Sequence, residues 1–235
     1  MLLIPAIDLR NGKVVRLYKG DYNKEKAYSQ TPLKIANGFA KSGVQRIHVV
    51  DLDGAKGDGT NRRTILEMAK QTSLMLDTGG GIRSLKDIEE LLEGGIKRAV
   101  LSTIAIEQPE IVIQALKRYP GRITVGVDAL DGFVKVRGWL STSKINAFEL
   151  IQKMIAIGVD EIIYTDISKD GTLEGPNFSI YEKLSSLPVK VIASGGVSSL
   201  ADLKKLKSLP LSGVIVGKAL YEEKFLLEDA LEVLA

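Results

Sequence analysis

The sequence predicts an α/β fold, a (β/α)8 TIM barrel with a twofold internal repeat of half-barrels. Eight short apolar runs alternate with helix-like stretches along the 235 residues, the pattern of parallel strands that are each followed by a helix. The sequence GGGIRS at Gly79–Ser84 also returns as SGGVSS at Ser194–Ser199, so that Gly80 corresponds to Gly195 at an offset of 195 − 80 = 115. The alternative, a doubly wound open sheet, does not explain why the halves match strand for strand.

The eight predicted strands are short apolar runs that end in a polar or small residue. Runs of this length are typical of strands that are buried on both faces. They are Leu2–Asp8, Ile47–Asp51, Leu74–Thr78, Arg98–Ser102, Ile123–Asp128, Glu161–Asp166, Val189–Ser194 and Gly213–Gly217. In a barrel the carboxyl ends of the strands form one mouth, where ligands bind. We therefore expect the closing residues to line that mouth: Asp8, Asp51, Asp77, Ser102, Asp128, Asp166, Ser194 and Gly217.

The helices are predicted from apolar residues at helical spacing. Within Leu85–Leu92, for example, four apolar residues fall at i, i+3, i+6 and i+7 and would form one face. The other predicted helices are Pro32–Ser42, Asn61–Thr72, Pro109–Arg118, Ala147–Ile157, Ser179–Ser186, Ser199–Lys207 and Leu226–Leu234. Two long segments, Arg10–Thr31 and Leu130–Lys144, follow strands that end in Asp. We interpret them as mouth loops that act as lids.

Composition limits the possible functions. The absence of cysteine and the single histidine exclude disulfides, thiolate metal sites and histidine clusters. We interpret that histidine, His48, as a packed residue of an apolar strand. A net charge of +3 without charge blocks argues against a nucleic-acid partner, and no apolar run approaches the roughly 18 residues that a membrane span needs.

We expect one domain over residues 1–235, made of half-barrels at about 1–120 and 121–235. The opening residues, Met1–Ala6, read as a first strand and not as a signal peptide. We therefore expect a cytoplasmic protein, and we take it to be a monomer.

Two glycine-rich turns predict two phosphate sites. Small residues between a strand and a helix let backbone N–H groups approach an oxyanion. Glycine at one such turn can serve the turn alone, but its repetition favours binding. The first site would contain Gly80, Gly81, Arg83, Ser102 and Thr103, and the second would contain Gly195, Gly196, Gly217 and Lys218. A small molecule with a phosphate at each end would fit both.

Two carboxylates are candidates for acid and base catalysis. Asp8 and Asp128 end the first and fifth strands and should face each other across the mouth. Carboxylates on opposite sides of a ligand suit a reaction that needs one acid and one base. Symmetry alone does not say which is which. A second symmetric pair, Asp51 and Asp166, is assigned to loop bracing.

Further polar residues near the mouth are predicted to contact the ligand. Thr165, Asp170 and Thr172 lie at or just after the end of the sixth strand. Trp139, the only tryptophan, lies in a polar loop, where its ring either packs in the core or stacks on a planar heterocycle. Arg137 beside it carries a guanidinium that can pair with a carboxylate or a phosphate.

The chain resembles the histidine-biosynthesis isomerases that act on a phosphoribosylformimino-5-aminoimidazole carboxamide ribotide. The resemblance covers the whole length. It is carried by Pro5–Leu9, Val15–Leu17, Ile47–Ala55, Gly79–Ser84, Gly138–Trp139, Thr165–Thr172, Ala193–Val197 and Val216–Tyr221. The related cyclase subunit of imidazole glycerol phosphate synthase usually opens with a Pro-Cys-Leu-Asp type of strand, so the Pro-Ala-Ile-Asp of this chain favours the isomerase.

The resemblance implies an Amadori rearrangement of an aminoaldose to an aminoketose, on a substrate with a phosphate at each end. It implies that Asp8 is the base that acts on the ribose C2 proton and that Asp128 is the acid that opens the sugar ring. It implies neither a metal nor an organic cofactor.

Two positions depart from the common family pattern. Ser102-Thr103 stands where the family often has Gly-Thr. The Arg137-Gly-Trp139 sequence resembles bifunctional actinobacterial members, which also isomerise phosphoribosyl anthranilate, with Arg16 and Arg137 as candidate contacts to that second substrate. A barrel of a different class, which binds phosphate but has lost its chemistry, is the remaining alternative.

Overall fold

A computed structural model describes residues 1–235. Its strands are β1 (Leu2–Arg10), β2 (Lys13–Tyr18), β3 (Asp21–Ala27), β4 (Arg46–Asp51), β5 (Met75–Gly79), β6 (Arg98–Leu101), β7 (Ile123–Leu130), β8 (Phe133–Val136), β9 (Ser141–Asn146), β10 (Glu161–Asp166), β11 (Lys190–Ser194) and β12 (Gly213–Val216). Its helices are α1 (Pro32–Lys41), α2 (Leu52–Lys56), α3 (Arg62–Gln71), α4 (Leu85–Glu93), α5 (Thr103–Glu107), α6 (Pro109–Arg118), α7 (Ala147–Ala156), α8 (Phe178–Leu184), α9 (Leu200–Lys207), α10 (Lys218–Tyr221) and α11 (Leu227–Leu234).

Eight of the strands pair in parallel and close into a ring. Their order is β1, β4, β5, β6, β7, β10, β11 and β12, and β12 pairs back onto β1. The predicted (β/α)8 barrel is therefore confirmed. Successive side chains along each barrel strand point alternately out of the ring and into it, which separates two apolar regions. Residues such as Ile47 and Val49 face outward into the large core beneath the helices, whereas Ile4, Val100 and Ile163 face inward and belong to a small cluster inside the ring.

The two halves also match in local structure. Ser84 and Ser199 are 115 positions apart, and each caps a helix by accepting a hydrogen bond from the backbone N–H three residues later. Their backbone angles agree closely, at φ −147° and ψ 163° against φ −149° and ψ 163°. Such a cap contributes about 1 kcal/mol to helix stability, so both halves begin an equivalent helix in the same way.

The structure differs from the sequence prediction in the two long loops. Arg10–Thr31 contains β2 and β3, and Leu130–Lys144 contains β8 and most of β9. In both places a barrel strand runs past the ring, and the chain folds back antiparallel onto its extension. The short helices α2, α5 and α10 were not predicted either, because four or five residues are too few to show a period.

Three residues that were expected to line the mouth do not: Asp51 and Asp166 support it from behind, and Asp77 lies deeper in the ring. Asp77 was expected to close the third barrel strand, but β5 continues to Gly79 and Asp77 is fully buried inside the ring. Its carboxylate pairs there with Arg46. None of the helices combines the length and the apolar character that crossing a lipid bilayer requires.

Candidate active site

A cavity of about 540 Å³ opens at the carboxyl ends of the barrel strands. It brings together all but one of the site residues that the sequence indicates: Asp8, Arg16, Gly80, Gly81, Arg83, Ser102, Thr103, Asp128, Arg137, Trp139, Thr165, Asp170, Gly195, Gly196, Gly217 and Lys218. The exception is Thr172, which does not line the cavity. Its hydroxyl donates to the carbonyl of Lys169 at 2.8 Å and braces its own turn.

Asp8 lies at one side of the cavity in an ion pair. The Arg16 Nη1 atom is 2.7 Å from the Asp8 Oδ2 atom, and both side chains are largely buried. Arg16 stands on β2, which pairs antiparallel with β1 and places Val15 opposite Asp8. Its guanidinium also donates to the carbonyl of Ala6 and lies over the Tyr221 ring. Asp8 therefore has a cationic partner inside the cavity.

Asp128 lies on the opposite strand of the ring, β7, in a different environment. Burial raises the pKa of Asp128 above its ordinary value, and hydrogen bonds from Trp139 and Thr165 and the charge of His48 only partly offset this effect. No Lys or Arg forms an ion pair with it. The symmetric pair of carboxyl groups therefore has asymmetric surroundings, because Asp8 has an arginine partner and Asp128 has none.

Asp170 is a third carboxyl group in the cavity. Burial raises its pKa to about 7, the negative charges of Asp8 and Asp128 act in the same direction, and Arg16 and Lys218 oppose them. Three carboxyl groups share one enclosed space, so they cannot all ionise without a large electrostatic cost.

The glycine-rich turns have equivalent geometry in the two halves. Gly80 and Gly195 both have φ of +98°, a conformation that favours glycine. A Cβ atom on Gly80 would lie 2.2 Å from the carbonyl oxygen of Asp51, and one on Gly195 would lie 2.9 Å from that of Asp166. These glycines therefore let each turn pack against the neighbouring loop, whatever ligand the turn also binds.

Asp51 and Asp166 brace the loops against which the two glycine turns pack, as predicted. Asp51 accepts hydrogen bonds from the backbone of Gly54 and from the backbone and side chain of Asn61. Asp166 accepts from Ser168 and, at 2.7 Å, from the side chain of Asn177. Both carboxylates support the mouth from behind and do not line the cavity.

The ends of the fourth and eighth barrel strands also have equivalent backbone geometry in the two halves. Ser102 and Gly217 precede the short helices α5 and α10 with nearly the same φ, −112° and −111°. Lys218 follows Gly217 and donates to the carbonyl of Gly171 at 2.7 Å. On the other side, Arg83 donates to the carbonyl of Gly54 at 3.1 Å. Each half thus brings a glycine turn, a strand end and one cation to the cavity wall.

Comparison with known proteins gives the family. A sequence model described as histidine biosynthesis protein matches residues 2–226. The chain belongs to this family. Similar proteins of Clostridium novyi, Shouchella clausii and Geobacillus kaustophilus are each named 1-(5-phosphoribosyl)-5-((5-phosphoribosylamino)methylideneamino) imidazole-4-carboxamide isomerase. They are 44%, 46% and 47% identical to this chain, of which the alignments cover 99%, 97% and 98%, and they are themselves covered to 99%, 96% and 96%.

In this member of the histidine biosynthesis protein family, the Arg137–Trp139 turn forms part of the cavity rim. Its three residues all have positive φ, at 56°, 64° and 67°. The Trp139 ring lines the cavity and packs on Gly20 of the β2–β3 turn, so it is not a core residue. The Arg137 guanidinium pairs with Glu107 at 3.0 Å and is 68% exposed, and its backbone N–H donates to Thr103.

His48 is the site residue that sequence reasoning missed. It was interpreted as a packed strand residue, but its ring lines the cavity floor. The available signal was strand alternation: Ile47 and Val49 face outward, so His48 must face into the ring. No group of three or more His, Cys, Asp or Glu side chains is placed to hold a metal ion.

Proposed function

We propose that this chain is an aldose–ketose isomerase that converts the phosphoribosylformimino-aminoimidazole-carboxamide ribotide by an Amadori rearrangement in histidine biosynthesis. The observation that carries the proposal is the pair of carboxyl groups on opposite strands of one cavity. Asp8 is ion-paired with Arg16, whereas burial raises the pKa of Asp128. The two carboxyl groups thus differ in their surroundings, and we assign Asp8 as the base and Asp128 as the acid.

The reaction follows from this asymmetry. Asp128 donates its proton to the ring oxygen as the C1–O bond breaks, and the nitrogen lone pair forms a C1=N bond. Asp8 takes the proton from C2, the electrons of that C–H bond form the C1=C2 bond of an enaminol, and the electron pair of the C1=N bond returns to the nitrogen. Asp8 then returns a proton to C1, and loss of the C2 hydroxyl proton leaves the ketone. General acid and base steps of this kind each contribute about 10²–10⁴-fold in rate.

The two phosphates of the substrate occupy the two equivalent ends of the cavity. The first end has Gly80, Gly81, Arg83, Ser102 and Thr103, and the second has Gly195, Gly196, Gly217 and Lys218. Phosphates fixed at both ends leave the sugar that reacts between Asp8 and Asp128. Positioning of this kind reduces the entropic part of the barrier. Thr165 and Trp139 contact the acid, and Asp170 faces the base and Arg16.

The test is steady-state turnover of the ribotide by purified protein. Asp8→Asn and Asp128→Asn should each lower kcat by about 10²–10⁴-fold, with much smaller changes in KM, because they remove proton transfer and leave the phosphate contacts in place. Asp131→Asn is the matched control, since it removes one charge from an exposed turn three residues beyond Asp128. If both site variants kept wild-type turnover, the barrel would be a phosphate-binding scaffold.

Activity on phosphoribosyl anthranilate is not favoured. Such activity would assign Arg137 to the second substrate, but its guanidinium pairs with Glu107 at the exposed rim. The other candidate, Arg16, is already engaged by Asp8 and the carbonyl of Ala6. The similar proteins carry only the name of the ribotide isomerase.

A further inference from the structure

At two interior positions below the cavity, the first half of the chain is polar where the second half is apolar. The positions equivalent to His48 and Asp77 are 48 + 115 = 163 and 77 + 115 = 192, which are Ile163 and Ile192. Both isoleucines belong to the apolar cluster inside the ring, as is usual for a TIM barrel interior. A buried His–Asp pair in place of two isoleucines adds no apolar packing, so it requires another explanation.

The hydrogen bonds of the pair fix the orientation of the imidazole. The His48 Nδ1 atom is 3.3 Å from the Asp77 Oδ1 atom, and Arg46 Nε donates to Asp77 Oδ2 at 3.0 Å. Burial alone would raise the pKa of Asp77, but His48 and Arg46 outweigh it and lower that pKa below its ordinary value. Asp77 is thus a carboxylate that can only accept, so the His48 Nδ1 atom donates to it, and no protein group hydrogen-bonds the His48 Nε2 atom.

The free nitrogen belongs to a ring that faces the reacting groups. His48 forms part of the cavity floor, with 12% of its side chain exposed. Its charge acts on Asp128, and on the neighbouring strand it is in register with Ala6, two residues before Asp8. An imidazole that is backed by a carboxylate on one nitrogen and lines the substrate cavity has the arrangement of a general base.

We propose that His48 is a third catalytic residue, which takes the C2 hydroxyl proton of the enaminol on Nε2 and passes it to Asp128. The assignment rests on the proposed isomerase function. It completes the proton balance: Asp128 has lost a proton to the ring oxygen, Asp8 returns its proton to C1, and the hydroxyl proton restores Asp128 through His48. Asp77 stabilises the transient imidazolium, and no external acid, base or oxidant is needed.

The test is chemical rescue of His48→Ala with free imidazole. This variant should lose about a hundredfold in kcat, and imidazole should restore part of that loss by occupying the vacated space. Ile163→Ala is the matched control, because it opens a similar space at the equivalent position of the cavity wall and removes no proton-transfer group. Its turnover should not respond to imidazole. Wild-type kcat in His48→Ala, or no greater response to imidazole than in the control, would overturn the assignment.

His48→Gln provides a second test if the alanine variant does not fold. Its amide offers a hydrogen bond near the position of Nε2 but cannot take a proton. It should therefore keep a KM near that of the wild type and lose kcat to a similar extent, and an unchanged kcat would overturn the assignment. Absence of turnover in the wild-type protein would instead overturn the isomerase function itself, so the two failures are distinguishable.

Discussion

Asp170→Asn should stabilise the substrate-free protein at alkaline pH and leave it unchanged at acid pH. Burial raises the pKa of Asp170 from 3.8 to about 7. Between these two values the folded protein binds more protons than the unfolded chain, so the free energy of unfolding falls as the pH rises. Above pH 7 the wild-type protein carries the full cost of an enclosed carboxylate, which the neutral amide of the variant does not have.

The magnitude follows from the shift. About three pKa units correspond to roughly 4 kcal/mol, which we halve to about 2 kcal/mol because the side chain is only half-buried and water in the open cavity screens its charge. For a chain of this size that difference is roughly 4–8 °C in Tm. Asparagine has the shape of the protonated acid, so the two proteins should melt together near pH 4.

The assay is thermal unfolding of both proteins between pH 4 and 8 at constant ionic strength. Asp131→Asn is the control, because it removes the same charge from an exposed turn and should show no comparable dependence on pH. A difference in Tm that stays constant with pH would refute the reasoning. So would a variant that is less stable than the wild type at pH 8, since Arg16 and Lys218 would then be holding Asp170 as a carboxylate throughout.

Three further predictions concern stability and specificity. Arg46→Ala removes the buried guanidinium that pairs with both Asp77 and Glu161 and should cost about 3–5 kcal/mol in urea unfolding. Arg63→Ala, at a side chain that is 93% exposed, should cost under about 1 kcal/mol, and equal losses would contradict the buried network. Gly80→Ala should lower Tm and raise the KM for the ribotide more than Gly95→Ala does, because both positions have strongly positive φ but only Gly80 lacks room for a Cβ atom. The wild-type protein should not isomerise phosphoribosyl anthranilate in a direct assay, and turnover that Arg137→Ala abolishes would show that the guanidinium enters the cavity.

The sequence predicted the barrel because the same pattern of strands and glycine turns occurs in both halves of the chain. The glycine turns and two of the strand ends repeat with a spacing of 115 residues, and the first strand end, at Asp8, repeats at Asp128 with a spacing of 128 − 8 = 120. Duplicated positions in a closed ring must lie at equivalent places around the mouth. The same reasoning placed Asp8 opposite Asp128. These features depend on the order of the strands and on the spacing of the internal repeat, and both can be read from the sequence.

Symmetry could not predict how the two halves differ. Asp8 is paired with Arg16, which lies on a strand that the sequence presents as a polar loop. The position of Asp77 depended on whether a strand ends one or two residues later, and a boundary is the least certain part of such a prediction. His48 was assigned to packing because one histidine in an apolar run carries no pattern of its own.

The buried ion pair between Arg46 and Glu161 makes the two half-barrels depend on each other. The two residues are 115 positions apart, so they occupy equivalent positions in the two halves. The Arg46 Nη2 atom is 2.7 Å from the Glu161 Oε1 atom. A barrel assembled from two copies of the first half would bring two buried arginines together, and two copies of the second half would bring two glutamates together. Like charges at these two neighbouring buried positions would repel at short distance. This ion pair therefore favours assembly of the two fragments with each other over assembly of either fragment with itself.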